Sequence, residues 1–366
     1  MKNTFGSALT LTLFGESRGA AVGAVLDGIT PGLAVDDGEI RAMLFRRRPQ
    51  SGLDTARREP DHYRIVSGVF EGRTTGTPLC ILIPNEDVGG EDLPRGAARP
   101  SHAEFAAHCK YHGFEDPRGG GHFSGRVTAA LVAVGGILRP ALRACGIEIG
   151  THILSCGGVE EARFSSDPAG EILLLEGRDF PTLNPERGEK MAEAILAAKK
   201  EGDSVGGCTE TAIVGLPAGV GEPFFDTVEG LIAHAMLSVG GVKGVDFGLG
   251  FGFAAGRGSA CNDAFRAENG RVVTATNRSG GVNGGVSNGM PVVFRCAVRP
   301  TPSIAREQQS IDFLKNQNIT LCANGRNDPA IVRRICPVID SLTAFVVSDL
   351  LIGRFGTDAL GGKAFL

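Results

Sequence analysis

Arg46, Arg47, Arg48, Arg57 and Arg58 crowd one short segment of this 366-residue chain. A guanidinium forks onto pairs of carboxylate or phosphate oxygens, so such density suits a small polyanionic ligand. A solvated face of ion pairs is the competing reading. The net charge of −4 argues against a general nucleic-acid binder, which needs a basic surface.

Three short motifs name other chemistries. Gly15-Glu16-Ser17-Arg18-Gly19 matches the G-x-S-x-G nucleophile elbow and follows a strand-like run. In hydrolases of that type the oxyanion loop and several strands precede the serine, and here they have no room. Residues 202–207, GDSVGG, look like a protease serine loop, yet they follow Lys199-Lys200-Glu201, which reads as a helix end. A helix-to-strand turn is the expected structure there. Residues 248–252, GLGFG, sit among strand-like residues and open no helix, so a dinucleotide fingerprint is not expected.

Nine cysteines stand singly, without CxxC spacing. That excludes the common zinc and thioredoxin patterns, and no metal site is expected. It also suits reduced thiols in a cytosolic protein. The N-terminus lacks the charged-then-apolar layout of a signal sequence, and no uninterrupted apolar run suggests a membrane span. Glycine supplies 54 of the 366 residues, above the usual proportion of about 7%. Its clusters, as at 119–121 and 280–289, permit tight turns or close backbone approach to a ligand.

These residues need elements to position them. Alternation predicts a strand over 7–14 and a short apolar run a second over 20–27; strands are also expected at 63–70 and 78–84, with an arginine-rich loop from 46 to 60. A helix is expected over 36–46 with Asp36 or Asp37 as cap, and another over 102–111. A glycine turn at 116–122 leads to a long apolar helix over 124–144 with Ser124 as cap. Strands follow at 147–156, 208–215, 244–253 and 291–298, with helices at 186–201 and 226–238. A helix over about 329–352, interrupted at Pro337, closes the chain. Strict βαβ alternation is missing, which favours an α+β fold. No linker or fixed-period repeat divides residues 1–366, so a single domain is expected.

Several segments in order resemble the chorismate synthase family. They include LFGESRGAAVGAVLDGITPG (13–32), FRRRPQSG with TARREPD (45–61) and RPSHAE (99–104). KYHGFEDPRGGGHFSGRVTAA (110–130), EGDSVGG (201–207) and VKGVDFG (242–248) follow. SGGVNGGVSNGMPV (279–292), RPTPSI (299–304) and GRNDPA (325–330) complete the series. The resemblance implies an α+β fold, a β-α-β sandwich with helices layered between antiparallel sheets, assembled as a homotetramer. It implies elimination of phosphate from 5-enolpyruvylshikimate 3-phosphate to give chorismate, with reduced FMN and no net redox change.

By the same resemblance, Ser17, Arg47, Arg48, Arg57, Arg126 and Arg326 contact the substrate. His122, Phe123, Ser124, Gly240, Gly241, Gly284, Arg299, Pro300, Thr301, Pro302, Ser303 and Arg326 contact the flavin. His102 matches a histidine that protonates near the flavin, and Asp328 one that relays the substrate proton. A helix cap at Asp328 is the alternative. Arg18 stands where the family has a histidine that protonates the leaving phosphate. Arginine keeps its proton at working pH, so this pattern predicts electrostatic stabilisation only and a slower enzyme. Leu53 replaces a residue that is commonly basic, and neither a reductase domain nor an NADP fingerprint is visible. Reduced FMN is therefore expected from an external reductase. The rival expectation is a flavin-binding homologue that has lost turnover.

Overall fold

The computed structural model describes residues 2–89, 93–323 and 327–361. Two antiparallel five-stranded sheets face each other across a layer of helices. The first sheet runs Thr4–Phe5, Thr10–Gly15, Ala21–Asp27, Leu79–Pro84, Arg64–Ser67 in spatial order. The second runs Val242–Phe247, Val292–Val298, Gly207–Val214, Glu148–Cys156, Val159–Glu160. In Leu79–Pro84 buried and half-buried residues alternate, the mark of a strand with one face on a core.

The middle layer is built from Asp37–Arg47, Thr128–Ala144, Val228–Ser238 and Val332–Phe355. Thr128–Ala144 touches strands of both sheets as well as two other helices. It is buried on nearly all sides, as its uniformly apolar sequence requires. At Gly136 a Cβ would stand 2.6 Å from the Ile40 Cα, so two helices cross there at a separation that glycine permits. The segment Gly125–Ala144 and the helix Val332–Phe355 are long and apolar enough to cross a membrane. Both are largely buried between the sheets, where the same apolarity builds the core.

Most expected elements form within a few residues of their expected bounds. Asp36 caps the first helix, its carboxylate accepting from Gly38 N at 2.7 Å. Ser124 accepts from Arg126 N and opens the short turn Gly125–Val127 that leads into the apolar helix. Residues 202–207 form the helix-to-strand turn, with Ser204 Oγ donating to the Thr301 carbonyl.

Three expectations are corrected. The strand expected over 244–253 ends at Phe247, and Gly250–Ala255 winds into a 3-10 turn. Residues 246–255 contain no β-branched side chain to favour a pleated surface. The last helix is not interrupted at Pro337; it runs unbroken from Val332 to Phe355. One backbone bond is lost near its start, and full burial between neighbours outweighs that. It also starts after Asp328, with Ile331 at the cap position and no side-chain cap. The helix Ala169–Leu175 and the hairpins Phe265–Glu268/Arg271–Thr274 and Glu307–Asp312/Gln317–Cys322 were not anticipated.

Candidate active site

The loops that leave the first sheet and those around 240 and 299–303 enclose one two-lobed cleft. The inner lobe is about 940 Å³ and the outer about 1130 Å³. Arg57, Arg99, His102, Gly119, His122 and Asn327 border both lobes and so mark where they meet.

His102 stands at this junction on the turn before the helix Glu104–Tyr111. Its Nδ1 is 2.8 Å from Glu104 Oε1 and 3.1 Å from Arg99 Nη2. A guanidinium only donates, so the carboxylate sets the tautomer: Nδ1–H donates to Glu104 and Nε2 is left over. Arg99 also donates from Nε to Glu104 Oε1 at 2.7 Å and from Nη1 to Ser303 Oγ at 3.0 Å. Burial raises the Glu104 carboxyl, but the His102 hydrogen bond and the charges of His102 and Arg99 outweigh it and bring it to about 2. Glu104 is therefore a fixed anion that orients one histidine and one arginine.

Between Pro117 and Ser124 the chain makes three consecutive left-handed steps, with φ of 59°, 87° and 53° at residues 119–121. Only glycine takes such a run without strain. The loop comes close to both sides of the junction. A Cβ at Gly119 would lie 3.0 Å from Arg18 Nε and 3.2 Å from Ser17 Oγ, and one at Gly120 would lie 3.3 Å from His102 Cε1. His122 Nδ1 is 2.7 Å from the Gly15 carbonyl.

Ser17 is buried, and its hydroxyl accepts from Arg57 Nη1 at 3.1 Å. Arginine cannot serve as a base, so the elbow motif has no nucleophile–base pair. Arg57 also donates to the Ser17 carbonyl and to Glu59. Arg18 borders the outer lobe.

Arg47, Arg48 and Arg126 wall the inner lobe. Two of these are paired with the Asp61 carboxylate. Arg126 pairs with Asp61 and donates to Asn85 Oδ1 and the Pro84 carbonyl, and Arg47 lies 3.5 Å from Asp61. Burial lowers the Arg47 guanidinium to about 9, with Asp61 opposing that shift. Arg48 donates from Nη1 to the Pro60 carbonyl.

Asp328 borders the inner lobe too, but not as a helix cap. Its Oδ1 accepts from Thr55 N at 2.9 Å, and its Oδ2 pairs with Arg334 Nη1 at 2.6 Å.

Of the expected cofactor contacts, Phe123, Ser124, Gly240, Gly241, Arg299, Pro300, Thr301, Pro302 and Ser303 border the inner lobe together with His122. Gly284 does not. It lies in the tight turn between Val282–Asn283 and Val286–Ser287, away from the cleft. Arg326 lies outside the described residues. Sequence reasoning passed over Arg99, Glu104, Thr55 and Arg334. Arg99 and Glu104 could have been found as an opposite-charge pair bracketing His102; Thr55 and Arg334 carry no local signal.

The inner lobe suits an oxygen-rich anionic ligand. Arg48 Nε, Arg57 Nε and Thr301 Oγ1 are buried there without a hydrogen-bond partner among the described residues. Such groups are costly to leave unpaired.

Residues 9–352 match the family model described as chorismate synthase. The chain belongs to the chorismate synthase family. It is 44% identical over 352 residues to the chorismate synthase of Pyrococcus abyssi, covering 95% of this chain and 97% of that one. It is 42% identical to that of Aeropyrum pernix, with 96% and 93% covered. A solved structure, "Crystal Structure of Chorismate Synthase", superposes with a TM-score of 0.78 at 29% identity, over 97% of this chain and 94% of that one. The two-sheet α+β sandwich is thus the fold of the chorismate synthase family. The function is that of the family, a lyase step in aromatic amino acid biosynthesis.

Proposed function

We propose that the chain eliminates phosphate from 5-enolpyruvylshikimate 3-phosphate to give chorismate, a carbon–oxygen lyase reaction carried out in this cleft with reduced FMN. The observation that carries this reading is the junction itself, where His102, held by Glu104, stands among Arg57, Arg99 and the glycine loop. A substrate with two carboxylates and a phosphate needs several cations around it. Arg18, Arg48, Arg57 and Arg99 offer them from different elements of the cleft wall.

The unpartnered Arg48, Arg57 and Thr301 atoms support the inner lobe as the place for the flavin and the substrate's oxygens. There the backbone of Gly240 and Gly241, the segment Arg299 to Ser303, and His122, Phe123 and Ser124 would hold the cofactor. Arg326 stays in this proposal on resemblance. When bound, reduced FMN supplies an electron transiently and recovers it. His102 presents Nε2 as the proton-handling atom beside the cofactor. Asp328, as a carboxylate held by Arg334, accepts the proton relayed from the substrate. Arg47 and Arg126 brace the wall through Asp61 and add to its positive field.

The reading extends to the whole chain, residues 1–366, as one domain in a homotetramer in the cytoplasm. Nine cysteines scattered singly along the sequence support a reducing compartment. Exposed Phe225, Phe251 and Phe265 supply apolar surface that an assembly would cover. With Leu53 standing where the family is commonly basic, reduced FMN is taken from an external reductase.

The test is anaerobic incubation of the chain with photoreduced FMN and 5-enolpyruvylshikimate 3-phosphate. Flavin-dependent formation of chorismate with matching release of phosphate is expected. Tight binding of both ligands without chorismate would overturn the reading in favour of a silent flavin-binding homologue.

A further inference from the structure

Expelling a phosphate leaves a bonding pair on the ester oxygen, and a proton delivered there lowers the barrier. Resting on the reading that this chain expels phosphate, we propose that His122 is the general acid for the leaving phosphate. Arginine at position 18 cannot give up its proton, and neither can Arg57 or Arg99. The Ser17 hydroxyl is buried against Arg57. His102 has Nδ1 committed to Glu104 and lies on the Gly120 side of the loop.

His122 has the required arrangement. The Gly15 carbonyl can only accept, so the 2.7 Å contact assigns the hydrogen to Nδ1. Among the described residues Nε2 has no hydrogen-bond partner. The residue is half-buried and borders both lobes. A carbonyl fixed on one side of an imidazole supports the cation that forms when the other nitrogen takes a proton. The same glycine loop lies against Arg18 and Ser17, so guanidinium and imidazole flank one part of the cleft. Arg18 supplies fixed charge and His122 the proton.

In the step, the carbon–oxygen bond breaks and its pair passes to the ester oxygen. The proton on Nε2 moves to the phosphate, which departs as hydrogen phosphate. The imidazole is left neutral, its Nδ1–H still on Gly15, and takes a new Nε2 proton from solvent after release. The hydrogen lost from the substrate ring leaves from another carbon and is not handled by His122.

The test is His122→Asn, which keeps an N–H near the position of Nδ1 and removes Nε2. Wild-type protein is assayed alongside with reduced FMN and 5-enolpyruvylshikimate 3-phosphate. If wild type releases no phosphate, the proposed reaction fails before His122 is questioned. With wild type active, kcat of the variant is expected to fall about 10²–10⁴-fold. KM and the calorimetric affinity for inorganic phosphate are expected to hold, and added imidazole to restore part of the rate. Unchanged kcat overturns the assignment. So does a loss of phosphate affinity that tracks the loss of kcat. If His122→Asn melts early, His122→Gln gives the same readouts.

Discussion

Asp328 and Arg334 form an ion pair across the start of the last helix, Oδ2 to Nη1 at 2.6 Å, while Asp328 Oδ1 takes the Thr55 amide. One carboxylate thus ties the arginine loop to the helix and faces the inner lobe. Its two roles separate by substitution.

Asp328→Asn keeps an oxygen for the Thr55 amide but removes the charge and the proposed proton acceptor. Turnover is expected to fall about 10²–10⁴-fold, with a change in melting temperature too small to explain the loss. Steady-state kinetics with a parallel thermal melt checks this. A variant that melts far lower and recovers full activity when cooled would assign Asp328 to structure alone.

Glu104→Gln removes the charge that holds the His102 tautomer and leaves an amide that can donate as well as accept, and a fall in kcat of about 10²-fold or more is expected with folding retained. The carboxyl is held at about 2, against an ordinary value of 4.5. A depressed carboxyl stabilises the fold above the unfolded value. Its contribution is lost as pH drops from 4.5 toward about 2. Acid unfolding should accordingly be less steep in Glu104→Gln than in wild type over that window.

His152 lies buried in the second sheet between Glu161 at 2.5 Å and Glu210 at 3.2 Å. Burial favours its neutral form, but the two carboxylates outweigh burial and raise it above 6.5. A raised histidine stabilises the folded state below its unfolded value, and that contribution fades as pH climbs through the folded value. Urea midpoints are expected to decline above pH 6.5, with His152→Gln showing a flatter profile. An identical pH dependence in both proteins would contradict this.

Asp349, in the last helix, accepts the amides of Ser7, Ala8 and Leu9 at 2.8–3.2 Å. Asp349→Ala leaves those donors without their charged partner beneath the first sheet, and a loss of about 3 kcal/mol is expected from denaturant titration. Asp349→Asn should recover part of it.

Arg18→His separates two accounts of proton supply. If the leaving phosphate lacks a donor, the substitution should raise kcat about 10²-fold or more. With His122 as donor, Arg18→His gains little in wild type but restores turnover in His122→Asn. Comparing the four proteins under one assay decides between them.

Much of the frame was legible from local patterns. A short apolar run marked Ala21–Asp27, and Asp36 marked a helix start. Ordered motifs named most of the residues that border the inner lobe through the segments 122–126, 240–241 and 299–303, because a family's residues keep their neighbours in sequence. What local patterns left open was pairing over distance. Nothing near Arg126 in sequence says that Asp61 will engage it, or that Arg334 will claim Asp328. The same holds for Pro337, whose missing bond would break an exposed helix but is outweighed where two sheets enclose it. Short-range sterics and hydrogen bonds are written into adjacent residues. Burial, charge pairing and the tautomer of each histidine depend on which distant segments the packing brings together.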